Sequence, residues 1–123
     1  MRTARVALTV ALLGIAYCST DYEIPLPNRY FIARWQPSEF ALIAPDRHTV
    51  VIQRVSRYRV DGNIISGEEA SVAGAEPNYF IVDTNAKSVE TNLSGSDWER
   101  RLESLGIQNH MLTKPKRPKR SIF

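Results

Sequence analysis

An apolar stretch near the N terminus limits how much of this chain can form a folded domain. Residues 6–16 (VALTVALLGIA) follow Arg2 and Arg5. The stretch is shorter than the roughly 20 apolar residues that a membrane-spanning helix needs. A basic region followed by a short apolar segment is typical of an export signal. We therefore predict that residues 1–17 are a signal peptide, which leaves about 100 residues, the size of one domain.

Two processing sites compete at the end of this leader. Cleavage after Ala16 places Gly14 and Ala16 at the positions where a general signal peptidase requires small residues. Alternatively, the run Ile-Ala-Tyr-Cys ending at Cys18 resembles the lipobox of bacterial lipoproteins, in which the cysteine is acylated and becomes the mature N terminus. Tyr17 departs from that pattern, because a small residue normally precedes the cysteine. Cys18 is thus either a lipidation site or an incidental residue at the end of a removed leader.

Cys18 is also the only cysteine in the sequence, so the chain cannot form an internal disulfide. Stability must then come from the hydrophobic core of one small domain. We predict a tether over residues 18–28, a single domain over residues 29–112 and a disordered basic tail over residues 113–123.

Charge is distributed unevenly between the predicted domain and the tail. All thirteen acidic residues lie between Asp21 and Glu103, where nine basic residues leave a net charge of −4. Such an acidic body does not indicate a nucleic-acid-binding surface. The tail contains two prolines and no acid, and it could hold an anionic membrane surface or an acidic partner, or act as a solubilising end. Its basic residues are Lys114, Lys116, Arg117, Lys119 and Arg120.

Alternating, β-prone runs predict a sheet. The Asp61-Gly62 pair between two such runs predicts a hairpin, and the small and acidic residues 67–77 predict the longest loop. In the first run, the apolar side chains on both sides predict a strand that is buried on both faces. The predicted strands are residues 29–35, 39–44, 49–60, 63–66, 79–83 and 88–93. The last two are predicted to pair as a second hairpin across a turn at residues 84–87.

One amphipathic helix follows the last strand. Ser96 and Glu99 have the spacing of a capping box, and Gly106 is placed to end the helix in the left-handed conformation. A stripe formed by Trp98, Leu102 and Leu105 would pack on the sheet. The predicted fold class is α+β, with an antiparallel sheet of about five or six strands and one C-terminal helix on one face.

Part of this C-terminal region resembles small uncharacterised bacterial envelope lipoproteins. The resemblance is carried by residues 79–83 (YFIVD), by Trp98-Glu99 and Leu102, and by the Leu105-Gly106-Ile107 end of the helix. It covers roughly a quarter of the chain. It implies a lipid anchor and a noncatalytic role, and it assigns no activity to individual residues.

The sequence contains no recognisable catalytic or metal-binding motif. Asp46, Arg47 and His48 bring an acid, a base and an imidazole together, which could bind a metal or activate water, although a solvated turn explains them as well. Asp83 could act as a general base, or it could hydrogen-bond its own turn. We expect no catalytic residue, no metal and no cofactor.

Two groups of residues are candidates for binding. Arg54, Arg57 and Arg59 could clamp a carboxylate or phosphate, or pair with acids of neighbouring strands. Early aromatic residues could form a partner-binding patch or belong to the core. These aromatic residues are Tyr22, Tyr30, Phe31, Trp35 and Phe40.

Three function classes are compatible with these patterns. The first is a small exported protein of the bacterial cell envelope, lipid-anchored or periplasmic, that binds an unknown protein without catalysis, such as an immunity or exclusion protein. The second is an exported small enzyme or metal-binding protein. The third is a eukaryotic secreted binding protein, for which Asn92-Leu93-Ser94 would be a glycosylation site.

Overall fold

A computed structural model describes residues 22–71 and 75–117 of the chain. It is an α+β structure whose strands are all antiparallel. The first four strands are β1 (Tyr22–Pro25), β2 (Phe31–Gln36), β3 (Glu39–Ile43) and β4 (Val50–Ile52). The others are β5 (Val55–Asp61), β6 (Ile64–Glu69), β7 (Asn78–Asp83) and β8 (Ser88–Leu93), followed by the helix α1 (Gly95–Ser104).

The strands form two sheets rather than the predicted single sheet of five or six strands. β1 to β4 form an N-terminal sheet and β5 to β8 form a C-terminal sheet, each in chain order. A common hydrophobic core joins them, because Ile32 and Leu42 of the first sheet cluster with Ile65, Phe80 and Val82 of the second. We call the side of each sheet that contributes to this core its inner face.

The prediction of one strand over residues 49–60 was wrong. The chain leaves β4 after Ile52 and enters β5 of the other sheet at Val55. Both side chains are buried in the shared core, at 2% and 4% exposure. A straight strand would point residues three apart to opposite faces, so the chain must bend between them. No glycine or proline marks this bend at Gln53 and Arg54.

The predicted tether is also partly folded. Its residues from Tyr22 onwards include β1, which pairs with β2, and then a 3-10 turn, Pro27–Arg29. Asn28 has a positive φ of 56° in this turn. Its side-chain amide donates to Thr84 Oγ1 at 2.8 Å, which ties the turn to the end of the other sheet. The predicted tether residues before Tyr22, including Cys18, lie outside the described residues, as does the leader.

Both predicted hairpins are confirmed. Asp61 pairs with Ile64 across a two-residue loop, in which Gly62 has a φ of 61°. The loop residues are therefore Gly62 and Asn63, one position later than predicted. The second hairpin joins β7 and β8 across residues 84–87. The predicted long loop begins too early, because Gly67 lies inside β6.

The helix covers the side of the C-terminal sheet that points away from the shared core. Trp98 and Leu102 are buried against Ile81, whereas Leu105 of the predicted stripe is 38% exposed. The helix ends as predicted at Gly106, whose φ is 83°. The amide of Gly106 donates to Glu103 O, and that of the next residue donates to Leu102 O, a Schellman arrangement.

The segment after the helix returns to the C-terminal sheet. The Thr113 amide donates to Tyr58 O at 3.0 Å, and Thr113 O accepts from the Tyr58 amide at 2.9 Å. Pro115 is buried, and the Arg117 guanidinium lies 5.1 Å from the ring centroid of Tyr22. The predicted boundary between domain and disordered tail at Thr113 is thus too early, while residues 118–123 lie outside the described part of the chain.

Candidate functional site

Of the three arginines predicted as an anion clamp, Arg54 lies outside β5, and the two within β5 are paired with acids. Arg54 lies in the bend between the sheets, and its carbonyl oxygen accepts from Ala70 N at 2.9 Å. Arg57 and Arg59 share the side of β5 that points away from the shared core, but each has its own acidic partner. An anion would have to compete with these partners for both guanidinium groups.

The partners explain why β5 tolerates two arginines. Arg57 Nε donates to Glu68 Oε1 at 2.9 Å, and this hydrogen bond raises the arginine's pKa above its ordinary value. Arg59 donates through Nε and Nη2 to the two oxygens of Asp61, at 2.6 Å each. Its Nη1 donates to Met111 O at 2.9 Å, so Arg59 also holds the segment after the helix.

The turn of Asp46, Arg47 and His48 is closed by its own hydrogen bonds. Asp46 Oδ1 accepts from the amides of His48 and Thr49 at 2.8 Å, and Oδ2 accepts from the Thr49 hydroxyl at 2.7 Å. These bonds lower the pKa of Asp46 to about 2. Asp83 likewise accepts from two amides of its own turn. Within residues 22–71 and 75–117, no group of three metal-ligating side chains is present.

The aromatic residues divide between the two faces of the N-terminal sheet. Tyr30 is buried in the shared core, and Tyr22 and Phe40 pack against that core. Phe31 and Trp35 lie on the opposite side, because neighbouring residues of a strand point to opposite faces. The predicted burial of this strand on both faces is confirmed.

Phe31 and Trp35 belong to a second apolar cluster, which we call the outer face. Phe31 pairs with Ile43 across β2 and β3, and Ala33 pairs with Ala41 beside them. Both alanines are buried. The outer face consists of Phe31, Ala33, Trp35, Ala41, Ile43 and Val50.

Charged groups border one end of the outer face. Arg47 forms an ion pair with Glu23 Oε2 of β1 at 2.6 Å. The same guanidinium lies 4.5 Å from the ring centroid of Phe31, within the range of a cation–π contact. An apolar centre with aromatic residues and an arginine at its border is the composition typical of a protein–protein interface.

Most of the outer face is buried. Phe31 is 4% exposed, and Ala33, Ala41 and Ile43 are 3% to 5% exposed. All six residues of the cluster belong to the N-terminal sheet, and no helix or strand among the described elements contributes to it from above. The sequence indicated this face through apolar residues on both sides of β2, but it did not indicate the pairing that brings Ala41 and Ile43 beside them.

A cluster of aromatic rings and charged side chains joins the helix to the segment that follows it. Tyr79 stacks on Trp98 at 4.8 Å between ring centroids, and His110 meets Trp98 edge-on at 5.8 Å. The His110 ring nitrogens are each 3.9 Å from a carboxylate, of Glu99 and of Glu103. This cluster fixes the segment after α1 to the helix.

The basic residues of the predicted tail are only partly described. Lys114 and Lys116 are exposed on either side of Pro115, and Arg117 lies over Tyr22. Lys119 and Arg120 lie outside the described residues. Asn92 of the predicted glycosylation site is exposed on β8.

Comparison with known proteins finds no family model, curated protein or solved structure that matches this chain. Among the described residues, no helix has the length and apolar character to cross a membrane.

Proposed function

We propose that this chain is a small exported protein of the bacterial cell envelope, lipid-anchored or periplasmic, that binds a partner protein without catalysis. The observation that carries the proposal is the outer face of the N-terminal sheet. It combines an apolar cluster, whose partly buried members are Trp35 and Val50, with the Glu23–Arg47 ion pair at its border.

The chemistry of the described side chains supports binding over catalysis. Arg57, Arg59, Asp46 and Asp83 are each engaged in hydrogen bonds that hold strands or turns. The outer face, by contrast, forms no part of the core that joins the two sheets.

The leader pattern supports export. Arg2 and Arg5 before the apolar residues 6–16 form the expected order of an export signal, and Cys18 follows at the position of a lipidated cysteine. With Cys18 acylated, the anchor would be four positions before Tyr22, the first residue of β1. The anchor would then be close in sequence to the sheet that carries the outer face.

A photo-crosslinking amino acid at Val50 tests the binding surface. We expect this position, at the edge of the outer face, to yield one adduct of discrete mass in intact cells of the source bacterium. Ala41→Arg should abolish the adduct, because it places a charge in the apolar cluster. The same crosslinker at Met111, which is 70% exposed and is not part of the outer face, should give no such adduct. Adducts that form equally from both positions, or survive Ala41→Arg, contradict the proposal.

The intact mass of the protein from the membrane fraction tests the predicted export and lipid anchoring. A mature chain that starts at an acylated Cys18, with globomycin-sensitive processing and palmitate incorporation, supports the anchored form. A mass that begins at Tyr17 without lipid identifies the periplasmic form. Full-length protein that is confined to the cytosol contradicts export.

A further inference from the structure

We propose that Lys114, Lys116 and Arg117 form a docking surface for a lipid bilayer that contains anionic phospholipids. The surface lies beside Tyr22, the first residue of β1. This inference rests on the proposed function only for the lipid anchor, and it adds which end of the anchored domain faces the membrane.

The segment that contains these cations is fixed to both sheets. At one end, Thr113 exchanges two backbone hydrogen bonds with Tyr58 of β5, at 2.9 and 3.0 Å. At the other end, the Arg117 guanidinium lies 5.1 Å from the ring centroid of Tyr22 in β1. Pro115, between the two ends, is buried. A segment that is held in this way loses less conformational freedom on binding than a free tail would lose.

Several cations meet at this end of the molecule. Lys114 and Lys116 are exposed on either side of the buried Pro115, so both lie on the solvent side of the segment. Arg34 of β2 adds a further positive charge, since its guanidinium lies 5.6 Å from the ring centroid of Tyr22.

The body of the chain is acidic by contrast. Thirteen acidic and nine basic residues between Asp21 and Glu103 give it a net charge of −4. An anionic bilayer would attract the basic end and repel the acidic body, which would orient the molecule.

The position of the basic end favours a bilayer over an acidic protein. Cys18 is four positions before Tyr22, so an acyl anchor there would be at most about 14 Å of extended chain away. Such an anchor holds the chain at the membrane but leaves the orientation of the domain open. Lysines suit contact with headgroups, because they act as point charges that need no fixed geometry, whereas protein interfaces are depleted in lysine.

Vesicle binding of the full-length chain tests this surface. Partition is measured into vesicles of phosphatidylcholine, with and without phosphatidylglycerol, and the leader is identical in every variant. Lys114→Gln with Lys116→Gln should lower binding to the anionic vesicles about 30-fold, at roughly five-fold for each cation. Binding to phosphatidylcholine alone should stay unchanged, and concentrated salt should remove the difference between native and variant chains. Unchanged binding of the variant to anionic vesicles overturns the inference.

Lys87→Gln with Arg100→Gln is the matched control, because it removes the same number of charges from exposed positions elsewhere. Lys87 lies in the β7–β8 turn, where Thr84 accepts a hydrogen bond from Asn28 of the turn that follows β1. Tyr22 is at the opposite end of β1. The control should bind anionic vesicles like the native chain. An equal loss in both double variants would indicate a dependence on net charge alone and overturns the inference.

Thr113→Pro tests whether the position of the cations matters. It removes the amide that donates to Tyr58 O at 3.0 Å and keeps every charge. We expect it to bind anionic vesicles more weakly than the native chain and more strongly than the double lysine variant. Binding equal to that of the native chain would show that a free basic tail suffices, and it overturns the inference.

The remaining outcome concerns an acidic protein as the partner. Loss of the Val50 adduct in the double lysine variant, with vesicle binding unchanged, would assign the lysines to such a protein and overturns the inference. Vesicle binding requires neither that adduct nor an acylated Cys18, so failure of the proposed function and failure of this inference are distinguishable.

Discussion

Among the described glycines, Gly67 has the least space for a side chain. It lies in β6 directly opposite Tyr58 of β5. A methyl group at this position would lie 2.8 Å from the Tyr58 Cα and closer still to the carbonyl oxygen of Arg57. Both are backbone atoms, which cannot move aside without separating the two strands.

Gly67→Ala should therefore lower the free energy of unfolding by about 1–3 kcal/mol or more, the range for an overpacked core. Urea unfolding measures the change. Gly95→Ala is the matched control, because its added methyl would meet only Tyr79 Cε1 at an ordinary 3.6 Å. The control should keep the stability of the native chain, and an equal loss in both variants would contradict the assigned clash.

Asp46 is the residue whose ionisation the fold favours most clearly. Hydrogen bonds from Thr49 and His48 lower its pKa from the ordinary 3.8 to about 2. Since the folded-state pKa lies below the unfolded one, the ionised carboxylate stabilises the fold above the ordinary pKa, and this contribution is lost as the pH falls towards 2.

Thr49→Val should raise the pKa of Asp46, because it removes the hydroxyl that donates to Oδ2 at 2.7 Å. A carboxyl-carbon NMR titration measures the midpoint. Thr49→Ser retains the hydroxyl and should leave the midpoint near that of the native chain. A midpoint that is the same in all three proteins would show that the hydroxyl does not hold the carboxylate.

At the scale of elements, the helix α1 begins two residues earlier than the predicted capping box implies. Ser94, and not Ser96, is the N-cap, and its hydroxyl accepts from the Asp97 amide at 3.1 Å. Both serines precede an acid by three positions, Ser94 before Asp97 and Ser96 before Glu99. The local pattern therefore allowed two starts, and the end of β8 at Leu93 selected the first.

Ser94→Ala should lower the free energy of unfolding by about 1 kcal/mol, the usual cost of losing an N-cap hydroxyl. Ser96→Ala should have a much smaller effect, since Ser96 lies within the first turn. Thermal or urea unfolding of the two variants under identical conditions measures the difference. A larger loss for Ser96→Ala would assign the cap to Ser96.

At the scale of the whole molecule, the two sheets depend on one core. The connection from β4 to β5 consists of Gln53 and Arg54 alone. Phe80 is fully buried among side chains of both sheets. The inner face of each sheet would be exposed to water without the other sheet, so we expect the two sheets to unfold together.

Phe80→Ala should lower the free energy of unfolding by about 3–5 kcal/mol, the range for loss of a buried aromatic ring. Within each protein, the amide signals of Ile32 and Ile65, one in each sheet, should disappear at one common urea concentration. That concentration should be lower for the variant than for the native chain. Met111→Ala is the control, because Met111 is 70% exposed. Two separate transitions for the two amides would contradict the shared core.

Local signals predicted the C-terminal part of the fold well. The β7–β8 hairpin and the end of α1 at Gly106 depend on hydrogen bonds and φ angles within a few residues, so the sequence pattern contains them. The division of residues 49–60 between two sheets has no such signal. It depends on burying Ile52 and Val55 in the same core, which involves strands far apart in the chain.

The sequence by itself determined most of the strands and the one helix, because these follow from composition and from neighbours along the chain; export stays a prediction from the leader pattern. Tertiary structure alone decided the partners of Arg57 and Arg59, and which aromatic residues join the core. It also decided that β2 and β3 place Ala33 against Ala41 to form the outer face. These outcomes depend on which strands pair and which face is buried. Both are decided only when segments that are distant in the sequence pack together.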